Sequence, residues 1–137
     1  MANEFDRPEH LITLVFNIQN VGAGATPVDG VLGVAKTGYV VPAGYSFVPV
    51  YLDALSNAAR TAGTNVIQIT DNGTEIKNGP DATLDATNTT ADRGLVTGTP
   101  VTIAAGHIVG VSATGDGSFA PTTADADVVV QGYLIPA

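Results

Sequence analysis

The chain has 137 residues, enough for one domain that buries roughly two-thirds of the surface its unfolded form exposes, and thirteen acids against five bases give it a formal charge of -8. The bases Arg7, Lys36, Arg60, Lys77 and Arg93 are scattered singly, so no cluster is offered to a phosphate backbone, and an acidic surface is repelled by nucleic acid and by anionic membranes alike. With no cysteine, disulfides, thiolate nucleophiles and Cys-ligated zinc are excluded, and no run approaches the ~18 apolar residues of a membrane helix.

Residues 1–9, "MANEFDRPE", show no periodicity and include Pro8, and are read as an extended arm. The polar, acidic start is unlike a secretory leader, so synthesis in a cytosol without ordinary export is expected. From residue 10 onward a single domain, 10–137, is expected.

"HLITLVFNIQN" alternates cleanly: Leu11, Thr13, Val15 and Asn17 face one way, and Ile12, Leu14, Phe16 and Ile18 the other. The second set is wholly apolar and is assigned to the core. "GAGATPVDG" reads as a loop, and "VLGVAKTGYVV" as one or two short strands interrupted by Gly33 and Gly38. In "YSFVPVYL", strict alternation puts Val48, Val50 and Leu52 on one face and Tyr45, Phe47, Pro49 and Tyr51 on the other. Pro49 has no N–H for a ladder, so the strand is expected at a sheet edge or with a bulge there. "DALSNAARTAG" suits a short helix with Asp53 as N-cap and Gly63 just past its end.

"NVIQIT" resumes the two-residue period, and Asn72-Gly73 is a hairpin turn signal. Residues 77–93, "KNGPDATLDATNTTADR", are polar and turn-forming, and are read as a long surface loop with Leu84 its one large apolar residue. "PVTIA", "HIVGVSA" and "DVVVQGYLI" complete about eight short strands, with "TGDGSFAPTTADA" a loop before the last. Abundant Thr, Val, Gly and Pro, with no βαβ rhythm, give the fold class: all-β, a jelly-roll-like antiparallel sandwich.

One phrase occurs twice. Val41-Pro42-Ala43-Gly44 and Ile103-Ala104-Ala105-Gly106 each end an apolar pair in Ala-Gly before an alternating strand. The echo reads as a repeated architectural joint whose glycine supplies a positive φ.

Chemistry is sparsely written. His10 and His107 stand at strand ends with no catalytic motif around them, so no enzyme activity and no catalytic residue are expected. The acidic loops lack EF-hand spacing; Asp125 and Asp127, two apart, are the one pair suited to sharing a cation, and solvated turns are preferred to a metal site. No cofactor is expected. Tyr45, Phe47 and Tyr51 lie on the second apolar face of their strand, which a two-layer fold leaves uncovered. Either a second copy of the chain or a loop of its own covers it, so the three are the subunit-interface candidates.

The start with its arm, "VVPAGYSFVPVYL", "VTIAAGHIVGVSATGDG" and the terminal "DVVVQGYLI" together resemble the small, acidic, cysteine-free β-sandwich proteins of tailed-bacteriophage particles that decorate, or cement, the capsid. The resemblance is one of style over residues 10–137. It implies a homotrimer on the exterior of the virion, bridging subunits of the major capsid protein, with no catalytic residues. Phe5, Arg7 and Pro8 in the arm are then the capsid-contact candidates. The alternative is a receptor- or glycan-binding domain of a phage tail fibre or spike, which would work through its long loops.

Overall fold

A computed structural model describes residues 10–21, 27–33, 37–96 and 99–137. All regular structure in them is β: β1 (His10–Ile18), β2 (Val28–Asp29), β3 (Val31–Leu32), β4 (Tyr39–Val40), β5 (Tyr45–Ser56), β6 (Asn65–Asp71), β7 (Thr74–Glu75), β8 (Asp81–Leu84), β9 (Ala91–Leu95), β10 (Ile108–Gly115) and β11 (Ala126–Pro136). One sheet runs β3-β1-β11-β5-β9; in the other β10 and β6 lie side by side, with β2 and β4 sharing the free edge of β10, and β7 and β8 that of β6.

The pairing is nested. β1 pairs with β11, β2 with β10, β5 with β9 and β6 with β8, all antiparallel, so outermost strands meet outermost and innermost meet innermost. That is one long four-stranded-pair hairpin, and β5–β11 and β6–β10 pairing rolls it up into two facing sheets. This is the jelly roll expected from the sequence.

Alternation sets the core. Leu14, Phe16 and Ile18 of β1, Val128 and Val130 of β11, and Leu52 and Ala54 of β5 face Ile67 and Ile69 of β6, Val109, Val111 and Ala113 of β10, and Ala82 and Leu84 of β8; all are buried. The inward set expected for β1 is the one observed. Asn72 (φ 50°) and Gly73 (φ 84°) form the turn between β6 and β7, as the hairpin signal required.

Five expectations need correction. First, β5 is bulged at Val50: Gln131 lies opposite Tyr51 but Gly132 lies opposite Pro49, leaving Val50 without a partner. The extra residue reverses the phase of alternation, so Phe47 and Pro49 turn to the same side as Leu52 and Ala54. Phe47, with 0% exposure, is therefore a core residue with no surface left for a neighbouring subunit. Second, 53–56 are not helical; they continue β5, held between β11 and β9, and two sheet ladders outweigh a weak local helix signal. Third, 77–93 is no long loop. β8 and the start of β9 lie within it, because Ala82 and Leu84 bury their side chains at 0% exposure on the two-residue period. Residues 28–29, assigned to a loop, form the short β2, and in the "PVTIA" segment Ile103 makes only an isolated bridge to Phe47.

The repeated joint has a structural meaning. Tyr45 N–H donates to Pro42 O (3.2 Å) and His107 N–H to Ala104 O (3.1 Å), with Gly44 at φ 84° and Gly106 at φ 82°. Both are turns with glycine in the third place, where a positive φ is required. The two copies also bind each other: Val41 N–H donates to His107 O (2.9 Å) and Gly106 N–H to Val41 O (2.8 Å). Nothing lies within 4 Å of where a Cβ would stand at either glycine, so Gly44→Ala and Gly106→Ala test φ alone. Each is expected to lower stability by about 1 kcal/mol in thermal or urea unfolding, and the two penalties together close to their sum.

Candidate interaction surface

The capsid-contact candidates Phe5, Arg7 and Pro8 lie outside the described residues. The described chain begins at His10, whose ring is tilted against that of Tyr45 at 6.4 Å between centroids. Tyr45 is half-buried on the core side of β5, at the end of the sandwich where β1 starts and β11 finishes. Tyr51, beyond the bulge, points to the opposite side, away from the core. The three interface candidates thus divide: Phe47 inside, Tyr45 at the lip of one end, Tyr51 on the outer face of the five-stranded sheet.

That outer face is the unusual surface of the molecule. Among the described residues, seven large apolar side chains are exposed, and six of them (Leu11, Val15, Val31, Leu55, Leu95 and Tyr133) stand on this one face; the seventh, Val40, belongs to the other sheet. Strand register assembles them. Leu11 lies opposite Tyr133 and Tyr133 opposite Val48; Val15 lies opposite Val129; Tyr51 lies opposite Leu95. Residues directly opposite in antiparallel strands share a face and touch, so side chains far apart in sequence become one patch. Leu95 is 66% exposed and Val15 55%, values that no loop among the described residues reduces. Charge is scarce there: Asp53 and Arg93 are cross-strand neighbours, and Asp127 stands beside Asn17, whose Nδ2 donates to its Oδ1 at 2.9 Å.

The outer face of the other sheet is its opposite in character. Asp29, Glu75 and Asp81 stand among Gln68, Thr70, Thr83, Ser112 and Thr114. Glu75 Oε1 accepts from Thr114 Oγ1 (2.8 Å) and Ser112 Oγ (3.2 Å). The β-sandwich therefore has one greasy broad side and one acidic, hydroxyl-rich broad side.

The end loops use their acids for structure. Asp116 accepts from the amide and hydroxyl of Ser118 and from the Thr64 amide, which hold its carboxyl below the ordinary 3.8, the Ser118 amide foremost. Asp85 is lowered in the same way, first by the Asn88 amide and then by that of Thr87. Asp125 and Asp127 do edge a common cleft with Asn17 and Asn57, yet each carboxylate is engaged, Asp125 by the Asn20 amide at 3.0 Å. Among the described residues no three His, Asp or Glu side chains converge as a metal site would need. His107 Nδ1 lies 2.7 Å from Asp71 Oδ1, and Asn72 Oδ1 accepts from the Ile108 amide, so this pair ties the β6–β7 hairpin to the second Ala-Gly turn. Phe119 and Leu84, the large apolar residues of the segments read as long loops, are both buried and offer no surface platform.

No protein-family model matches the sequence, nor does any curated protein. Among solved structures, a chain from the cyanophage Pam1 capsid asymmetric unit is similar, with a TM-score of 0.56 at 15% identity over 99% of this chain and 91% of that one. At that identity the likeness is one of fold. It spans both chains nearly end to end, so the overall fold is shared with a chain of that capsid asymmetric unit.

Proposed function

We propose that this protein is a structural component of a tailed-phage virion: a decoration, or cement, protein that binds the outside of the head as a homotrimer and stabilises contacts between major capsid subunits. The observation that carries this reading is the end-to-end fold likeness to a capsid chain, 99% of one and 91% of the other. Composition supports it. The charge of -8 suits a position outside the shell, away from packaged DNA, and the chain needs no cofactor and no catalytic group for the role.

The mechanism is linkage. A ligand that binds the assembled lattice better than free subunits shifts the equilibrium toward the intact shell by an amount set by its concentration relative to its Kd. Trimerisation makes three weak attachments act together, because once one subunit is bound the others are held at high effective concentration. Residues 2–9, which precede His10 in the chain, add contacts to a neighbouring capsid subunit through Phe5, Arg7 and Pro8.

The test is co-sedimentation of purified protein with phage heads that lack it. Saturable pelleting, with heads that then resist heat or chelator disruption better, is the expected result; protein left in the supernatant at saturating head concentration overturns the reading. Deleting residues 2–9 is expected to weaken head binding about tenfold or more, a loss of about 1.4 kcal/mol or greater, while leaving the melting temperature unchanged. Unaltered binding by the deletion would remove the arm, with Phe5, Arg7 and Pro8, from the contact.

A further inference from the structure

We infer that the outer face of the five-stranded sheet is where one copy of this chain meets another, with Leu11, Val15, Tyr51, Leu95 and Tyr133 as its apolar contacts. The inference deepens the homotrimer of the proposed function by assigning the surface that makes it, and it stands or falls separately from binding to a shell.

Three observations point to a second copy as the occupant. The first is charge. A molecule of net charge -8 repels its like on most approaches, and the broad face of the other sheet carries Asp29, Glu75 and Asp81 with no Lys or Arg on its strands. The apolar face carries Asp53 beside Arg93, which offset each other, and Asp127 alone. Of the two broad sides it is the one on which two copies can come together without bringing acids against acids.

The second is area. Five strands at about 4.8 Å spacing, the longer ones running about 30 Å, give a face of roughly 600 Å² after allowance for the short β3 and β9. Three such faces turned to a common three-fold axis bury about 1,800 Å² in all, so closing the trimer removes more apolar surface from water than any single pair within it. The third is composition. A sheet face that meets water in a jelly roll alternates to polar residues, yet here six of the seven exposed large apolar side chains of the described chain gather on one face. Its centre is the row Thr13, Gln131, Tyr51 and Leu95, in which Gln131 Nε2 donates to Thr13 Oγ1 at 3.3 Å. A face of aromatic and aliphatic side chains around a neutral, hydrogen-bonded centre, with few charges, is the pattern of a self-association surface.

The experiment is molar mass in solution, by sedimentation equilibrium at micromolar concentration. Wild type is expected at a multiple of 13.8 kDa, and the double variant Val15→Asp/Leu95→Asp at 13.8 kDa with unchanged far-UV circular dichroism. Thr83→Glu, on the other broad face, is expected to keep the wild-type mass. A second pair avoids charge and packing altogether. Because the chain has no cysteine, Thr13→Cys and Thr83→Cys each carry one thiol. A bulky maleimide polymer should label the Thr83→Cys protein at least tenfold faster than the Thr13→Cys protein. A monomeric wild type, a double variant that keeps its oligomeric mass, or equal labelling of the two thiols each overturns the inference. If wild type is monomeric and the double variant alone loses head binding, the face belongs to a capsid subunit instead. If wild type is oligomeric through this face but ignores heads, the inference holds and the virion reading fails.

Discussion

Phe47→Ala is expected to lower the stability of the fold by about 3–5 kcal/mol, a large share of the 5–15 kcal/mol that holds a domain together, and to drop the melting temperature by about 10 °C or more. Phe47 has no exposed surface, its ring is tilted at 60° against Tyr39 with centroids 6.4 Å apart, and its own amide and carbonyl both pair with Ile103. Truncation leaves a cavity where β5, β11 and the second Ala-Gly joint converge, and the backbone ties to Ile103 keep the walls from collapsing into it. Gly132 lies opposite Pro49 at the bulge, and a Cβ there would meet the Phe47 ring at 2.4 Å, so the ring also occupies the space glycine leaves. A urea-unfolding loss below about 1 kcal/mol would return Phe47 to the surface, where strict alternation along "YSFVPVYL" had assigned it.

Gly94→Ala is expected to be similarly damaging for the opposite reason. Gly94 lies opposite core-facing Leu52, and a Cβ added to it would stand 1.9 Å from the carbonyl oxygen of Asp81 and 2.8 Å from its nitrogen. The obstacle is backbone, which cannot rotate away. Here β9, at the edge of one sheet, crosses β8, at the edge of the other, with no side chain between them, and Asp92 Oδ2 accepts from the Thr83 amide at 2.8 Å to fasten the corner. One methyl must therefore push the two sheets apart, at a cost of about 3 kcal/mol or more. Gly73→Ala is the comparison: nothing lies within 4 Å of its Cβ position, so its penalty is that of a positive φ alone, about 1 kcal/mol. Equal unfolding free energies for the two variants would contradict the close crossing.

Which parts of this were legible in the amino-acid sequence follows from how local each signal is. The inward set of β1, the Asn72-Gly73 turn and the two Ala-Gly joints depend on neighbours in the chain, and the structure has them as expected. The phase of β5 was not legible. Pro49 announced an irregularity, but whether a residue is skipped is decided by the strand opposite, at Gln131 and Gly132. Two of the three proposed interface residues, Tyr45 and Phe47, turn to the core side for that reason, and Tyr51 stays outside. β8 (DATL) and β9 (ADRGL) were hidden because such short strands with a single large apolar residue carry little local preference; burial of Ala82 and Leu84 decides β8 and pairing with β5 decides β9, and both are tertiary.

The apolar outer face shows the same limit from the other side. Leu11 and Val15 were correctly assigned away from the core, but one strand with two outward aliphatics is ordinary. Their meaning came only when register set Tyr133, Val129, Tyr51 and Leu95 beside them from strands more than thirty residues away in the chain.

The virion reading is tested most directly by an electron-microscopy map of the phage particle that carries this protein. Jelly-roll density is expected on the outer surface of the head, grouped in threes over junctions between major capsid subunits, with the His10 end of each sandwich nearest the shell. Density confined to a tail fibre or spike, or a head surface without it, would overturn a role on the capsid exterior.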